Sequence, residues 1–209
     1  MSTGLIYKDK PLFGLDIGTS SIKVMQIETR GKKQFITGYG VANYEKGAMV
    51  DGVITNPEVI AKATKELFEH KIIGEITTRR AALGIPVART YNRVMNLPPM
   101  NKKDLAEAVR LEAEQYIPVP IDELYVDFTV TAESKDGYEL LAVAAPKKII
   151  DSYLIYTNLL GIDVCTIETT ISASSRLIAH SERGDVPTIL IDFGSVSVDI
   201  TIFDKQLIV

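Results

Sequence analysis

The sequence has 209 residues, of which 46% are hydrophobic and 24% charged, and its formal net charge at pH 7 is −4. This balance predicts a globular chain of one or two domains with a sizeable core, and the negative charge argues against nucleic-acid binding. No stretch approaches the roughly 18 to 20 apolar residues of a membrane span, and residues 2–10 are too polar for a signal peptide.

Alternating apolar residues predict three strands at the start of the chain, over residues 12–16, 22–28 and 35–42, arranged as a meander. A helix is predicted after them. Asn56 suits its N-cap and Pro57 its first turn, while Ile60, Ala63 and Leu67 form its apolar face.

The middle of the chain changes between strand and helix periodicity. Strands are predicted over residues 81–86, 91–97, 124–131 and 138–144, and a helix over 102–116. A helix over 147–160, a strand over 162–168, a helix over 171–183 and a last hairpin follow. This order predicts an α/β lobe (1–77 and 149–186) interrupted by a small α+β insert (78–148), with a last hairpin in 187–209.

Cysteine and histidine are scarce. The sole cysteine, Cys165, lies in the apolar run IDVCTIE, which predicts a buried thiol in a reducing compartment. The two histidines, His70 and His180, are far apart in the sequence. We therefore expect neither a zinc site nor a Cys/His catalytic pair.

One hairpin pattern occurs twice. The stretches GLDIGTSSIKVMQIE (14–28) and LIDFGSVSVDITIFD (190–204) each read as strand, tight polar turn and strand, and their Asp, Gly and Ser positions coincide. A glycine turn can point successive backbone N–H groups at one anion, and hydroxyl groups add donors. A single Asp-x-Gly turn is most often an ordinary hairpin, but the repetition favours two phosphate cradles facing one ligand.

The predicted phosphate ligands come from both hairpins. Asp16 and Asp192 are expected to hold Mg²⁺ through water, and Lys23 to supply a point charge. The full predicted set is Asp16, Gly18, Thr19, Ser20, Ser21, Lys23, Asp192, Gly194, Ser195 and Ser197.

DIGTSSIK and LIDFGSVSVDI resemble the two phosphate motifs of the actin-like ATPase superfamily. Within it, the stretches over 49–68, 95–128 and 140–164 resemble the PilM family of type IV pilus assembly proteins, with RLEAEQYIPVP followed by DF as the most specific mark. The resemblance implies an α/β, actin-like (ribonuclease H-like) lobe with an inserted small α+β subdomain, and it makes residues 187–209 the start of a second lobe that carries the second phosphate hairpin. It also implies ATP and Mg²⁺ as ligands.

The resemblance further implies a cytoplasmic scaffold, peripheral at the inner face of the cell membrane, in contact with other pilus platform proteins. Its partner would be the N-terminal cytoplasmic peptide of a PilN-like single-span inner-membrane protein, held in a groove between the main lobe and the insert. The expected groove residues are Phe35, Tyr39, Tyr91, Arg93, Val94 and Met95. Enzymatic turnover is not expected.

Two alternatives stay open. One is an FtsA-like tether of division filaments, and the other is a small-molecule kinase, for which Glu168 is the single candidate general base. Two departures from the superfamily predict weak ATP binding, at about millimolar affinity. Ser195 and Val196 stand where relatives often have a glycine pair, and the sequence extends only just past the second hairpin, where relatives carry an adenine-binding lobe.

Overall fold

The fold is described here from a computed structural model, which covers residues 10–86, 90–181, 187–195, 198–204 and 207–208. The strands are β1 Phe13–Ile17, β2 Ser21–Arg30, β3 Lys33–Asn43, β4 Met49–Val50, β5 Val53–Ile54, β6 Ile73–Gly74, β7 Arg80–Ile85, β8 Tyr91–Leu97, β9 Leu124–Ser134, β10 Gly137–Pro146, β11 Asp163–Thr169, β12 Thr188–Phe193, β13 Val198–Asp204 and β14 Leu207–Ile208. The helices are α1 Pro57–His70, α2 Lys102–Tyr116, α3 Lys147–Leu159 and α4 Thr170–Ser181.

A six-stranded sheet in the order β11-β7-β1-β2-β3-β6 forms the main lobe. β1, β2 and β3 are the predicted antiparallel meander, while β7 and β11 run parallel to β1. Alternate residues of β1 are buried on one face, which packs on α1 and α3 through Ile60, Leu67, Tyr153 and Tyr156. The predicted start of α1 is confirmed, because the Asn56 side chain accepts a hydrogen bond from the Val59 backbone.

The insert has a sheet and a core of its own. Its strand order is β8-β10-β9, and α2 covers one face of the sheet with Leu105, Val109 and Ala113 against Leu140. The predicted boundary at residue 78 is wrong, because β7 pairs with β1 and β11 in the main sheet. A short apolar strand suits either sheet, and only its long-range pairing decides between them.

Three further features complete the description of the fold. Cys165 is exposed rather than buried as predicted, because the pairing of β11 with β7 passes from Val164 directly to Thr166 and leaves Cys165 outside the ladder. Among the described residues, no helix combines the length and the apolar character needed to cross a membrane. The second hairpin forms a separate small sheet, β12-β13-β14.

Two fully buried tyrosines lie between the sheet and α1. The Tyr156 hydroxyl is 2.6 Å from the Thr64 hydroxyl, whereas the Tyr153 hydroxyl lies 3.9 Å from the Met49 sulfur. Burial raises the pKa of both phenols above the ordinary tyrosine value. The folded chain therefore keeps these protons at a pH where the unfolded chain loses them, and stability must fall as the pH rises above about 10.

Tyr153→Phe is expected to leave the free energy of unfolding at pH 7 within about 1 kcal/mol of the unchanged chain, because the contact of the lost hydroxyl with the Met49 sulfur is weak. It should also make the decline of stability above pH 10 shallower, since one buried ionisable phenol is removed. Urea unfolding at neutral and alkaline pH measures both quantities. An unchanged alkaline slope would contradict the assignment of the pH dependence to this tyrosine.

Candidate functional site

Tyr44 fixes the turn of the first hairpin through hydrogen bonds. The Gly18 N–H donates to the Ser21 carbonyl at 2.9 Å, and the Tyr44 N–H donates to the Ser20 carbonyl at 3.1 Å. The Tyr44 hydroxyl donates to the Gly18 carbonyl. Three carbonyls of the turn are thus fixed by hydrogen bonds within the chain, which sets the direction of the peptide groups between them.

Asp16 and Lys23 form the polar pair at the base of this hairpin. They are cross-strand neighbours on β1 and β2, and the Lys23 Nζ lies 3.0 Å from the Asp16 Oδ2. Both side chains are well exposed, at 57% for Lys23 and 40% for Asp16. A metal ion or phosphate would therefore have to displace an existing surface ion pair, and such pairs contribute little free energy.

The two hairpins meet, as the repeat predicts. The Thr19 and Ser195 hydroxyl oxygens are 2.5 Å apart, and a cleft of about 600 Å³ opens between the two turns. Most of the predicted ligands line this cleft, namely Asp16, Gly18, Thr19, Ser21, Lys23, Asp192, Gly194 and Ser195. Ser20 engages Tyr44 through its carbonyl, and Ser197 lies outside the described residues.

The cleft is also lined by eight residues that the sequence analysis did not assign: Ile17, Met49, Asp51, Gly52, Pro86, Thr170, Phe193 and Asp199. Asp51 and Gly52 form the turn between β4 and β5 with positive φ angles of 53° and 80°. An Asp-Gly dipeptide is a strong hairpin indication, so this turn could have been found from the sequence.

The cleft carries four carboxylates against one lysine, Lys23. A triphosphate would be repelled there unless Mg²⁺ came with it. Within the described ranges, no three metal-binding side chains are grouped closely enough to form a coordination shell by themselves. Mg²⁺ binds through one or two carboxylates and completes its shell with waters and phosphate oxygens, so Asp16 and Asp192 could hold it together with a triphosphate. The residues present therefore fit the magnesium nucleotide that the sequence implies.

Glu168 forms an ion pair with Arg176. Its two carboxylate oxygens each lie 2.5 Å from a guanidinium nitrogen of Arg176, and its side chain is 19% exposed. The hydrogen bond to Glu168 raises the pKa of Arg176 above its usual value. A carboxylate in such a bidentate pair is a poor general base, so the ion pair indicates a structural role for Glu168.

Tyr44→Phe tests the support of the first turn. The change leaves the Gly18 carbonyl without its hydroxyl donor, so we expect a loss of about 1 to 2 kcal/mol in the free energy of unfolding and displaced amide resonances for Gly18 and Thr19. Burial, and next the charge of Asp16, raise the pKa of Tyr44 to about 12. Tyr125→Phe removes an exposed hydroxyl that bonds Asp151 and serves as the control. Equal effects from both variants would refute the special role of Tyr44.

The six residues expected to form the partner groove lie in different places. Phe35 pairs with Glu28 near the turn of the β2–β3 hairpin, eight residues from Asn43 at the opposite end of β3, which is about 26 Å along the strand. Tyr39 lines a groove over the open face of the main sheet, whereas Tyr91 lines a separate cleft beside the insert.

The other three differ in accessibility. Val94 is 54% exposed, and the Arg93 guanidinium stacks over the Tyr116 ring at 4.4 Å from its centre. Met95 is 6% exposed within the insert core, so it does not offer a surface contact. The alternation of β8 explains this difference, because neighbouring residues of a strand face opposite sides of the sheet.

A second cleft separates the insert from the main lobe. It has a volume of about 590 Å³ and is bounded by the β4–β5 turn, the start of β8, the loop after α2 and the start of α3. Its apolar contacts come from Tyr91, Val119 and Ile149, and its charges come from Asp51, Asp122, Glu123, Lys147 and Lys148.

Comparison with solved structures defines the class of protein. The cytoplasmic domain of EpsL, an inner-membrane component of the type II secretion system of Vibrio cholerae, superposes with a TM-score of 0.58 at 9% identity, over 94% of this chain and 68% of that one. The PilM-PilN type IV pilus biogenesis complex gives a TM-score of 0.85 at 22% identity, over 97% of this chain. The fold is therefore actin-like, as predicted.

A family model described as type IV pilus assembly protein PilM matches residues 14–209. The chain therefore belongs to the PilM family, and the resemblance read from the sequence is confirmed. It spans 60% of the length of the matching chain in the PilM-PilN complex.

Proposed function

We propose that this chain acts as a scaffold of the type IV pilus inner-membrane platform, at the cytoplasmic face of the membrane. Its partner in this proposal is the N-terminal cytoplasmic peptide of a PilN-like membrane protein. The match to the PilM family over residues 14–209 carries the proposal. The similarity to a structure titled as a PilM-PilN complex supports the choice of partner.

The cleft between the insert and the main lobe is the proposed peptide site. A volume of about 590 Å³ accommodates several side chains, and Tyr91, Val119 and Ile149 offer apolar contacts. Within the described residues, β8 has a ladder partner on one side only, which is β10. An extended peptide could add backbone hydrogen bonds to the other edge, which is a common mode of peptide recognition.

A peptide of about 10 to 15 residues that copies the N-terminal tail of the cognate membrane protein is expected to bind with micromolar affinity, about −8 kcal/mol, without ATP. Tyr91→Ala should weaken binding roughly tenfold, since an aromatic contact is lost from the cleft. Tyr39→Ala is the matched control, because Tyr39 lies in the separate groove. Fluorescence anisotropy measures all three affinities. Absence of binding up to millimolar peptide would contradict the proposal. Weaker binding of Tyr39→Ala, with Tyr91→Ala unchanged, would place the peptide site in the groove at Tyr39 instead.

Mg²⁺–ATP in the cleft between the hairpins is proposed as a structural ligand that fixes the two hairpins relative to each other. The Thr19–Ser195 contact and the ligands contributed by both turns support this role. Turnover of the nucleotide is not part of the proposal, because Glu168 is held by Arg176 and no other general base was identified in the sequence.

A further inference from the structure

The β4–β5 turn borders two clefts at once. Asp51 lines the cleft between the hairpins and also the second cleft, beside the insert, and among the described residues it is the only one that lines both. Its neighbour Gly52 lines the first of these clefts, and Ile149 on α3 lines the second. One short turn is therefore a common wall of the proposed nucleotide site and the proposed peptide site.

The position of this turn is fixed by the main lobe. Asp51 has a φ of 53°, and among the residues that the structure describes it is the only one other than glycine with a positive φ. The Ala48 carbonyl accepts a hydrogen bond from the Thr55 N–H at 2.9 Å. The Ile54 N–H donates to the Ser152 hydroxyl on α3 at 3.0 Å. The turn cannot leave either cleft without breaking these hydrogen bonds, so the Asp51 carboxylate stays at the boundary of both.

The charge of Asp51 links the two clefts electrostatically. Asp51 is exposed, so its carboxylate is hydrated in the absence of ligands. A peptide in the second cleft would remove part of that water and leave a negative charge poorly solvated, which costs free energy. The cost is smaller when Mg²⁺ lies in the cleft between the hairpins, because the attraction between a cation and a carboxylate grows as water is excluded around them.

We propose that Asp51 couples the two sites, so that a magnesium nucleotide between the hairpins and a peptide in the second cleft strengthen each other's binding. The inference rests on the proposed function and adds that the affinity for the partner depends on the nucleotide. Thermodynamic linkage makes the effect mutual, so one factor describes both directions. The metal sets the sign, because a triphosphate without Mg²⁺ brings only negative charge toward Asp51.

Fluorescence anisotropy of the labelled peptide, measured at matched ionic strength with and without saturating Mg²⁺–ATP, tests the proposal. We expect Mg²⁺–ATP to tighten peptide binding roughly fivefold, which is the low end of typical couplings between sites. ATP with a chelator should not tighten it. Tighter binding with metal-free ATP would contradict the electrostatic origin of the coupling.

Asp51→Asn isolates the carboxylate. The change removes the charge and keeps the turn, because asparagine also adopts positive φ readily. The peptide should then bind with nearly equal affinity in both conditions. Asp122→Asn is the matched control, since Asp122 lines the second cleft and not the cleft between the hairpins, and it bonds Arg110. That variant should retain the fivefold ratio, whatever its effect on peptide affinity itself.

The amide shifts of Gly18 and Gly194 report nucleotide binding separately, which makes the outcomes distinguishable. Peptide binding that ignores a nucleotide shown by these shifts to be bound would overturn the inference and leave the proposed partner in place. A fivefold effect that persists in Asp51→Asn would overturn it as well, since the coupling would lie elsewhere. Absence of nucleotide shifts at every concentration would contradict the nucleotide site and with it the coupling. Absence of peptide binding in every condition would contradict the proposed function itself.

Discussion

Asp16→Asn is expected to weaken Mg²⁺-dependent triphosphate binding at least tenfold. Asp16 lies at the end of β1 and lines the cleft opposite Asp192, the carboxylate of the second hairpin. Asparagine keeps the shape of the side chain and loses the charge that holds the waters of Mg²⁺. A charge-assisted hydrogen bond contributes roughly 1.5 to 3 kcal/mol, which corresponds to a factor of ten or more.

The same substitution has the opposite consequence without metal. Lys23 loses its partner at 3.0 Å and becomes available to a phosphate oxygen. Binding of triphosphate in the absence of Mg²⁺ should therefore stay equal or become tighter. Amide chemical shifts of Gly18, Thr19 and Gly194 during titration measure both conditions.

Asp163→Asn is the matched control for this experiment. Asp163 begins β11 at the other end of the same sheet, and its side chain is 70% exposed. Its replacement should leave both titrations unchanged. If Asp16→Asn and the unchanged chain bind triphosphate with equal affinity in Mg²⁺, Asp16 does not hold the metal. The prediction of a phosphate site from the repeated hairpin would then be contradicted.

The cleft between the two hairpins was the part of the candidate site that sequence reasoning reached best. Each hairpin is a local structure, because a strand, a tight turn and a strand are specified by neighbouring residues. The repetition then indicated that both turns serve one ligand, and the Thr19–Ser195 contact agrees with that arrangement. Asp51 was missed although its Asp-Gly turn is visible in the sequence, since a third turn had no counterpart to mark it.

The six residues expected to form a partner groove are not brought together, because their placement depends on long-range pairing. The register of β2 with β3 places Phe35 far from the insert, and no local pattern specifies that register. The same difficulty affected the insert boundary, where β7 was assigned to the wrong sheet. Val119, in the proline-rich loop after α2, reaches the second cleft only through the way the insert sits on the main lobe.

Gly38→Ala is expected to lower the free energy of unfolding by about 3 kcal/mol or more, as overpacking against backbone that cannot move. A Cβ at Gly38 would lie 2.5 Å from the carbonyl carbon and 2.9 Å from the backbone nitrogen of Glu75, and closer still to the carbonyl oxygen. Real side chains do not approach backbone so closely, so the segment at Glu75 would have to shift.

That segment is tied to the sheet on both sides, which is why the shift is costly. The Glu75 N–H donates to the Thr37 carbonyl at 2.8 Å. Gln26, which is fully buried, donates to the Thr77 hydroxyl and accepts from the Thr77 N–H, both at 2.9 Å. Moving the segment would leave the Gln26 amide buried without partners, and that penalty adds to the steric one.

Gly14→Ala separates this effect from the general consequence of losing a strand glycine. A Cβ at Gly14, on β1 of the same sheet, would meet its nearest neighbour, the Met25 carbonyl oxygen, at an ordinary 3.7 Å. We expect that variant to change the free energy of unfolding by less than about 1 kcal/mol, in either direction. Urea denaturation of the two variants gives the comparison directly. Similar stability for both would mean that the strand formed by Ile73 and Gly74 can yield, and that the Gln26–Thr77 hydrogen bonds do not fix the edge of the main sheet.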